Sequence, residues 1–125
     1  MKILVCEDEE ILLTSLEFRL KKQGFEIILA KDGKEAIDKI KTESPDLIVA
    51  DIMMPNVSGL ELITFVRKKM KSDLPIIMIS AMGNDETVLE AFRLGATDFI
   101  SKPFKPSELV LRIKMVFQEM ELAVG

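Results

Sequence analysis

Short apolar runs alternate with longer amphipathic stretches from one end of the chain to the other. The runs are Ile3 to Cys6, Phe25 to Ala30, Asp46 to Ala50, Pro75 to Ser80 and Thr97 to Ile100. Most are continuously apolar. A strand with one wet face would show a polar residue at every second position, so these runs suit parallel strands covered on both faces. Thr97 to Ile100 is the weakest and suits a sheet edge. A helical spacing follows each run. Leu12, Leu13, Leu16 and Leu20 form one stripe, stopped by Gly24. Asp32 and Glu35 read as a capping box before Ala36, Ile37 and Ile40, and Ser58 and Glu61 repeat it before Leu62, Ile63 and Val66. Asn84 or Asp85 can cap a helix carrying Val88, Leu89 and Phe92 and stopped by Gly95. Pro106 suits the first turn of a last helix whose inward residues are Leu109, Ile113, Val116, Phe117 and Met120. The pattern predicts an α/β fold of five βα units, with a parallel sheet between two helical layers. It predicts one domain over residues 1–122 and a short tail at 123–125, with no linker or low-complexity segment between.

Composition narrows the function. At 48% hydrophobic, the chain has enough apolar material for a core. A net charge of -4 argues against a nucleic-acid face on this domain, where a basic stripe is expected. Apolar runs of about six residues fall far short of the roughly 20 that span a membrane. Acids directly after the first run do not suit a signal peptide. One cysteine, inside an apolar run, reads as a buried inert thiol and fits a reducing compartment, so a cytoplasmic location is expected. There is no histidine. That excludes a Ser-His-Asp triad, a Cys-His pair and His-ligated zinc. What remains is carboxylates, lysines and backbone oxygens, the donors of a hard ion such as magnesium.

In an open parallel sheet, ligands sit beyond the carboxyl ends of the strands. Glu7, Asp8, Glu9 and Glu10 follow the first run, Asp51 ends the third, Ser80 ends the fourth before Ala81, and Ser101, Lys102 and Pro103 follow the fifth. Glu7, Asp8 and Asp51 crowded together would repel one another, and a divalent cation relieves that. Asp51 is a candidate nucleophile, because aspartyl phosphates are an established covalent intermediate. Phosphoryl transfer needs mainly positioning and charge stabilisation. Lys102, the Ser80 hydroxyl and nearby backbone N–H groups can supply both. Glu9 and Glu10 read as solvent-facing or capping acids, and Lys68, Lys69 and Lys71 as a solvated helix end.

Over nearly its whole length the chain resembles the receiver domain of two-component response regulators. The residues that carry the likeness are Glu7-Asp8, the segment Asp51-Ile52-Met53-Met54-Pro55-Asn56-Val57-Ser58-Gly59, Ser80-Ala81 and Ser101-Lys102-Pro103-Phe104. The resemblance implies a three-layer, doubly wound, flavodoxin-like (βα)5 fold with strand order 2-1-3-4-5. It implies that Asp51 takes a phosphoryl group from the phosphohistidine of a sensor histidine kinase or phosphotransfer protein docked near the first helix. Mg2+ would be held by Asp8, Asp51, the Met53 carbonyl and Glu7, directly or through water. Ser80 and Lys102 would hold the phosphoryl oxygens, and Lys102-Pro103 would be a cis bond. Ser80 and Phe99 would then rearrange and reshape the surface of the fourth helix, fifth strand and fifth helix. Such a domain is a signalling phosphoacceptor, limited to self-phosphorylation and slow loss of the group, rather than an enzyme.

Several residues depart from the usual pattern. Phe99 stands where many members have tyrosine, and Met53 and Met82 flank the acids. The stretch Lys102 to Leu109 with Arg112 looks like the winged-helix DNA-binding subfamily, and Asp98, Glu108 and Arg112 match its dimer charges. Glu90 stands where that subfamily usually has a basic residue, and would face Glu108 of a partner. Two arrangements stay open: the N-terminal part of a DNA-binding regulator, or a free-standing receiver in a phosphorelay. A phosphorylation-dependent homodimer, an effector domain or a separate target protein would be the outlet. Three rivals compete. A flavin or nucleotide binder needs a Gly/Ser/Thr-rich loop where Glu7 to Glu10 stand. An Asp-nucleophile phosphatase needs a second acid where Met53 stands. A docking module without phosphorylation does not need the acids.

Overall fold

The computed structural model describes residues 1–124. The elements are β1 (Lys2–Cys6), α1 (Glu10–Lys22), β2 (Glu26–Ala30), α2 (Gly33–Glu43), β3 (Leu47–Asp51), α3 (Gly59–Thr64), β4 (Ile76–Ser80), α4 (Asp85–Leu94), β5 (Asp98–Ser101) and α5 (Pro106–Val124). Each strand lies within a residue or so of its apolar run. α3 continues into a π-helical turn over Phe65–Lys69, where the Met70 N–H donates to the Phe65 carbonyl at 3.0 Å. The helical backbone of α5 takes in the first residues of the expected tail, and Gly125 lies outside the described residues.

All pairings are parallel, in the order β2-β1-β3-β4-β5. β3 and β4 are buried at every position, and β1 from Ile3 onward. Their alternate residues feed two cores. Leu4, Ile48, Ala50, Ile76 and Met78 pack against α2, α3 and α4. Ile3, Val5, Val49, Ile77 and Ile79 pack against α1 and α5. Unbroken apolar runs therefore follow from helices on both faces. β5 is an edge, as its weak run suggests, and β2 is the other, with an exposed-to-intermediate pattern over Glu26–Leu29.

The helix starts follow the capping residues. Ser58 and Glu61 form the full reciprocal box, at 3.2 and 3.4 Å. Asp32 accepts from the Glu35 N–H at 2.8 Å, half of the expected box, and Asn84 rather than Asp85 caps α4 through the Thr87 N–H. α4 packs shallowly, and the inward face expected for α5 is corrected at Met120. On α4 only Ala91 is buried, while Leu89 is 62% and Phe92 44% exposed and Val88 is half-buried. α4 lies near the β5 edge, where the sheet is too narrow to cover a wider apolar stripe. On α5, Leu109, Ile113, Val116 and Phe117 are buried but Met120 is exposed. A helix of 19 residues outruns strands of four or five, so its last turns leave the sheet. Among the described residues, no helix is long and apolar enough to cross a membrane.

Candidate functional site

β1 and β3 are hydrogen-bonded neighbours, while the chain leaves β1 for β2 on the other side. That reversal opens a crevice beyond their carboxyl ends. Glu7 follows β1, anchored by its N–H donating to the Ala30 carbonyl at 3.0 Å. Asp51 is the last residue of β3. Lys102 follows β5, its N–H donating to the Ser80 carbonyl at 2.8 Å. The Lys102-Pro103 bond is cis.

The loop after Asp51 folds back tightly onto β3. The Gly59 N–H donates to the Ile52 carbonyl at 2.9 Å. A Cβ at Gly59 would sit on the Asp51 carbonyl oxygen and 2.7 Å from the Ile52 Cα. Only glycine allows this approach. Asn56, with φ 69°, makes the left-handed step in the loop. The Met53 N–H then reaches the Asp51 Oδ1 at 2.8 Å, which leaves Oδ2 for other partners.

Carboxylate oxygens of Glu7, Asp8 and Asp51 lie within 4.8 Å of one another, with Glu7 and Asp51 buried and Asp8 exposed. Lys102 bridges two of them, its Nζ donating to Glu7 Oε1 at 2.6 Å and to Asp51 Oδ2 at 2.5 Å. Burial pushes the Glu7 carboxyl up to about 7, against the opposing pull of the Lys102 hydrogen bond and of the Glu9 N–H. Burial alone would lower the Lys102 ammonium, but its bonds to Asp51 and Glu7 outweigh that and raise it. Three acids against one ammonium leave the cluster short of positive charge. All its donors are hard oxygens, so the residues fit a small divalent cation such as magnesium.

The remaining expected residues stand around this cluster. Ser80 is buried, and its Oγ accepts the Met82 N–H at 2.9 Å rather than bonding Asp51 or Lys102. Phe99 is half-buried against the core under α2, α3 and α4. Ser80 pairs with Ser101 and Met78 with Phe99, so Ser80 and Phe99 are diagonal neighbours on one face of the sheet. The Met53 and Met82 side chains are exposed beside the acids. Glu9 was expected to face solvent or cap α1. It occupies the N-cap position without a side-chain cap bond, and its Oε2 lies 3.6 Å from Lys102. The dense run of four acids was the only sign of this in the sequence. Glu10 pairs outward with Lys31 at 3.0 Å. Cys6 is buried, and burial raises its thiol pKa, which keeps it inert. A groove of about 480 Å³, lined by residues that include Ile11, Leu12, Ser15, Pro103 and Phe104, opens beside Lys102 between α1 and the β5–α5 connection.

Farther out, Arg112 pairs with both Asp98 oxygens at 3.0 and 2.9 Å and lies 3.6 Å from Glu108. Glu90 pairs with Arg93 in its own helix at 2.8 Å.

Known proteins resemble the chain in sequence and fold. The chain is 40% identical over 122 residues to the alkaline phosphatase synthesis transcriptional regulatory protein PhoP of Bacillus subtilis, covering 98% of this chain and 50% of that protein. It thus spans about half the length of that curated relative. The Francisella response regulator 1452 receiver domain superposes with a TM-score of 0.90 at 32% identity, covering 95% of this chain and 98% of that one. A CheY-like receiver domain from Methanospirillum hungatei gives 0.91 at 29% identity, covering 98% and 97%. Residues 3–114 match the family described as response regulator receiver domain. That match runs from Ile3 in β1 past β5 and takes in the acid cluster, and the chain belongs to the receiver domain family of two-component response regulators.

Proposed function

We propose that the chain accepts a phosphoryl group on Asp51 from the phosphohistidine of a partner kinase or phosphotransfer protein, with Mg2+ bound by Glu7, Asp8, Asp51 and the Met53 carbonyl. A carboxylate oxygen of Asp51 attacks phosphorus, the P–N bond breaks, and the imidazole leaves. The chain has no histidine, so the donor comes from another protein or another domain. The bound metal supplies charge neutralisation for the phosphoryl oxygens. The observation that carries the reading is the convergence of three carboxylates from two strand ends, two of them bound to Lys102, with Asp51 held from both sides. Lys102 is already within reach of the Asp51 oxygen and can exchange a carboxylate contact for a phosphoryl oxygen. Ser80 can do so by giving up the Met82 N–H.

The added charge, close to -2, then draws Ser80 toward Asp51. Phe99, diagonal to it, shifts with it and alters the α4-β5-α5 surface. Chemistry ends there: Met53 provides no acid to protonate an ordinary leaving group, so the domain is a phosphoacceptor rather than a turnover enzyme. The groove beside α1 and Lys102 suits the docking of the phosphodonor protein. The likeness to a transcriptional regulatory protein of about twice the length favours the N-terminal part of a DNA-binding regulator over a free-standing relay receiver. A homodimer through α4-β5-α5 would have to draw Arg112 away from Asp98 and bring Glu90 against Glu108.

The test is phosphoryl uptake from acetyl phosphate, read by intact mass with and without magnesium. The native chain should gain one phosphoryl mass only with the metal, and Asp51→Asn none. Uptake by Asp51→Asn would overturn the assignment.

A further inference from the structure

The two ends of α4 are held very differently. Its N-terminal end follows residues 81–84, all exposed, and is fixed by the exposed Asn84 cap. Of its ten residues only Ala91 is buried. The C-terminal end stops at Gly95, whose φ of 119° is left-handed, and there the anchoring is dense. The Gly95 carbonyl accepts from Arg67 Nε at 3.1 Å and from Nη2 at 2.9 Å. Arg67 Nη1 donates to the carbonyls of Ser72 at 2.9 Å and Leu74 at 2.6 Å. Just beyond, the Thr97 N–H donates to the Ile76 carbonyl at 2.8 Å, and the Thr97 Oγ1 accepts the Ile76 N–H at 3.0 Å.

One guanidinium therefore ties three segments together: the π-helical turn that carries it, the connection into β4, and the end of α4. All four bonds go to carbonyl oxygens, and among the described residues Arg67 forms no ion pair. Cations are favoured at a helix C-terminus, where unpaired carbonyls gather partial negative charge. Gly95 serves the contact in a second way. A Cβ there would lie 2.9 Å from Arg67 Cγ and Nε, so its absence lets the arginine approach.

We propose that Arg67 is the pivot of α4: it pins the helix at Gly95 and leaves the N-terminal half and residues 81–84 as the arm that moves. Ser80 stands at the root of that arm, through its bond to the Met82 N–H. The link to phosphorylation rests on the function proposed above, whereas the pivot itself is a property of the unmodified chain.

Native-state amide exchange tests it. In the unmodified protein the amides of Val88 to Glu90 should exchange about tenfold or more faster than those of Ala96 and Thr97. Arg67→Met keeps the stem and removes the fork. It should speed Gly95 to Thr97 by about tenfold or more, bringing them toward the N-terminal half, while Ile77 to Ile79 stay unchanged. If Arg67→Met does not fold, Arg67→Lys keeps the charge without the fork and gives the same readout. Equal protection at both ends of the native helix, or an unchanged gradient in the variant, overturns the pivot. So does a variant in which only residues 72–74 loosen, since Arg67 would then merely staple a loop. Backbone amide shifts on adding magnesium and beryllium trifluoride extend the test. Changes concentrated in residues 81–90 support the pivot, and equal changes at 94–97 overturn it. No response at Asp51, with the exchange gradient intact, defeats the phosphoryl reading and leaves the pivot standing.

Discussion

α1 and α4 both follow strands buried almost throughout, yet they are built in opposite ways. α1 sinks Leu13, Leu16 and Leu20 into the core and holds a fixed wall next to Lys102. α4 sinks one alanine and leaves Leu89 and Phe92 in water. Apolar packing sets how much it costs to displace an element, so one flank resists movement and the other yields. A site between a rigid wall and a compliant one can turn local charge into a change of surface on the compliant side only.

The contrast can be broken by mutation. Leu16→Ala should cost about 2–5 kcal/mol in urea unfolding, as a full-depth cavity does. A cost below about 1 kcal/mol would mean that α1 is not the fixed wall. Lys102→Met leaves Glu7 and Asp51 buried without their cation. We expect it to lose about 1–3 kcal/mol at pH 8 in magnesium-free buffer, and to regain most of that when magnesium is added. The pH dependence should sharpen the picture further. Glu7 binds its proton more tightly in the folded chain, at about 7, than the ordinary value of 4.5. Its contribution to stability in magnesium-free buffer is therefore full below about pH 4.5 and is lost as pH rises through about 7. Glu7→Gln should flatten that slope, and melting curves taken from pH 4.5 to 8 would reveal it. The smallest effect is expected on the other flank: Leu89→Ala should change stability by no more than about 0.5 kcal/mol.

The strands were legible because burial on both faces leaves an uninterrupted apolar signature, and β3 and β4 carry it at every position. The acid cluster was legible because strand ends in this topology converge, so Glu7, Asp8, Asp51 and Lys102 could be placed together from position alone. Two things were not. The shallow packing of α4 was one, because apolar spacing records which residues could be buried and not how much sheet lies beneath them; Leu89 and Phe92 satisfy the spacing and stay exposed. Arg67 gave no signal, because it bonds backbone carbonyls, which every residue has, and it sits beside two lysines that are plain surface charges. Glu9 faces solvent, one of its two expected roles, and its approach to Lys102 depends on how far one flexible side chain reaches.

Lys102 and Glu7 are separated by 95 residues, and Lys102 and Asp51 by 51. A ribosome delivers the two acids early and their ammonium partner late. Until the last strand has docked, the half-made chain holds these acids without their ammonium, and only a cation from solution can gather them. The ammonium that bridges Glu7 and Asp51 is therefore the last part of the site to arrive, and a chain ending before β5 lacks that fixed positive charge.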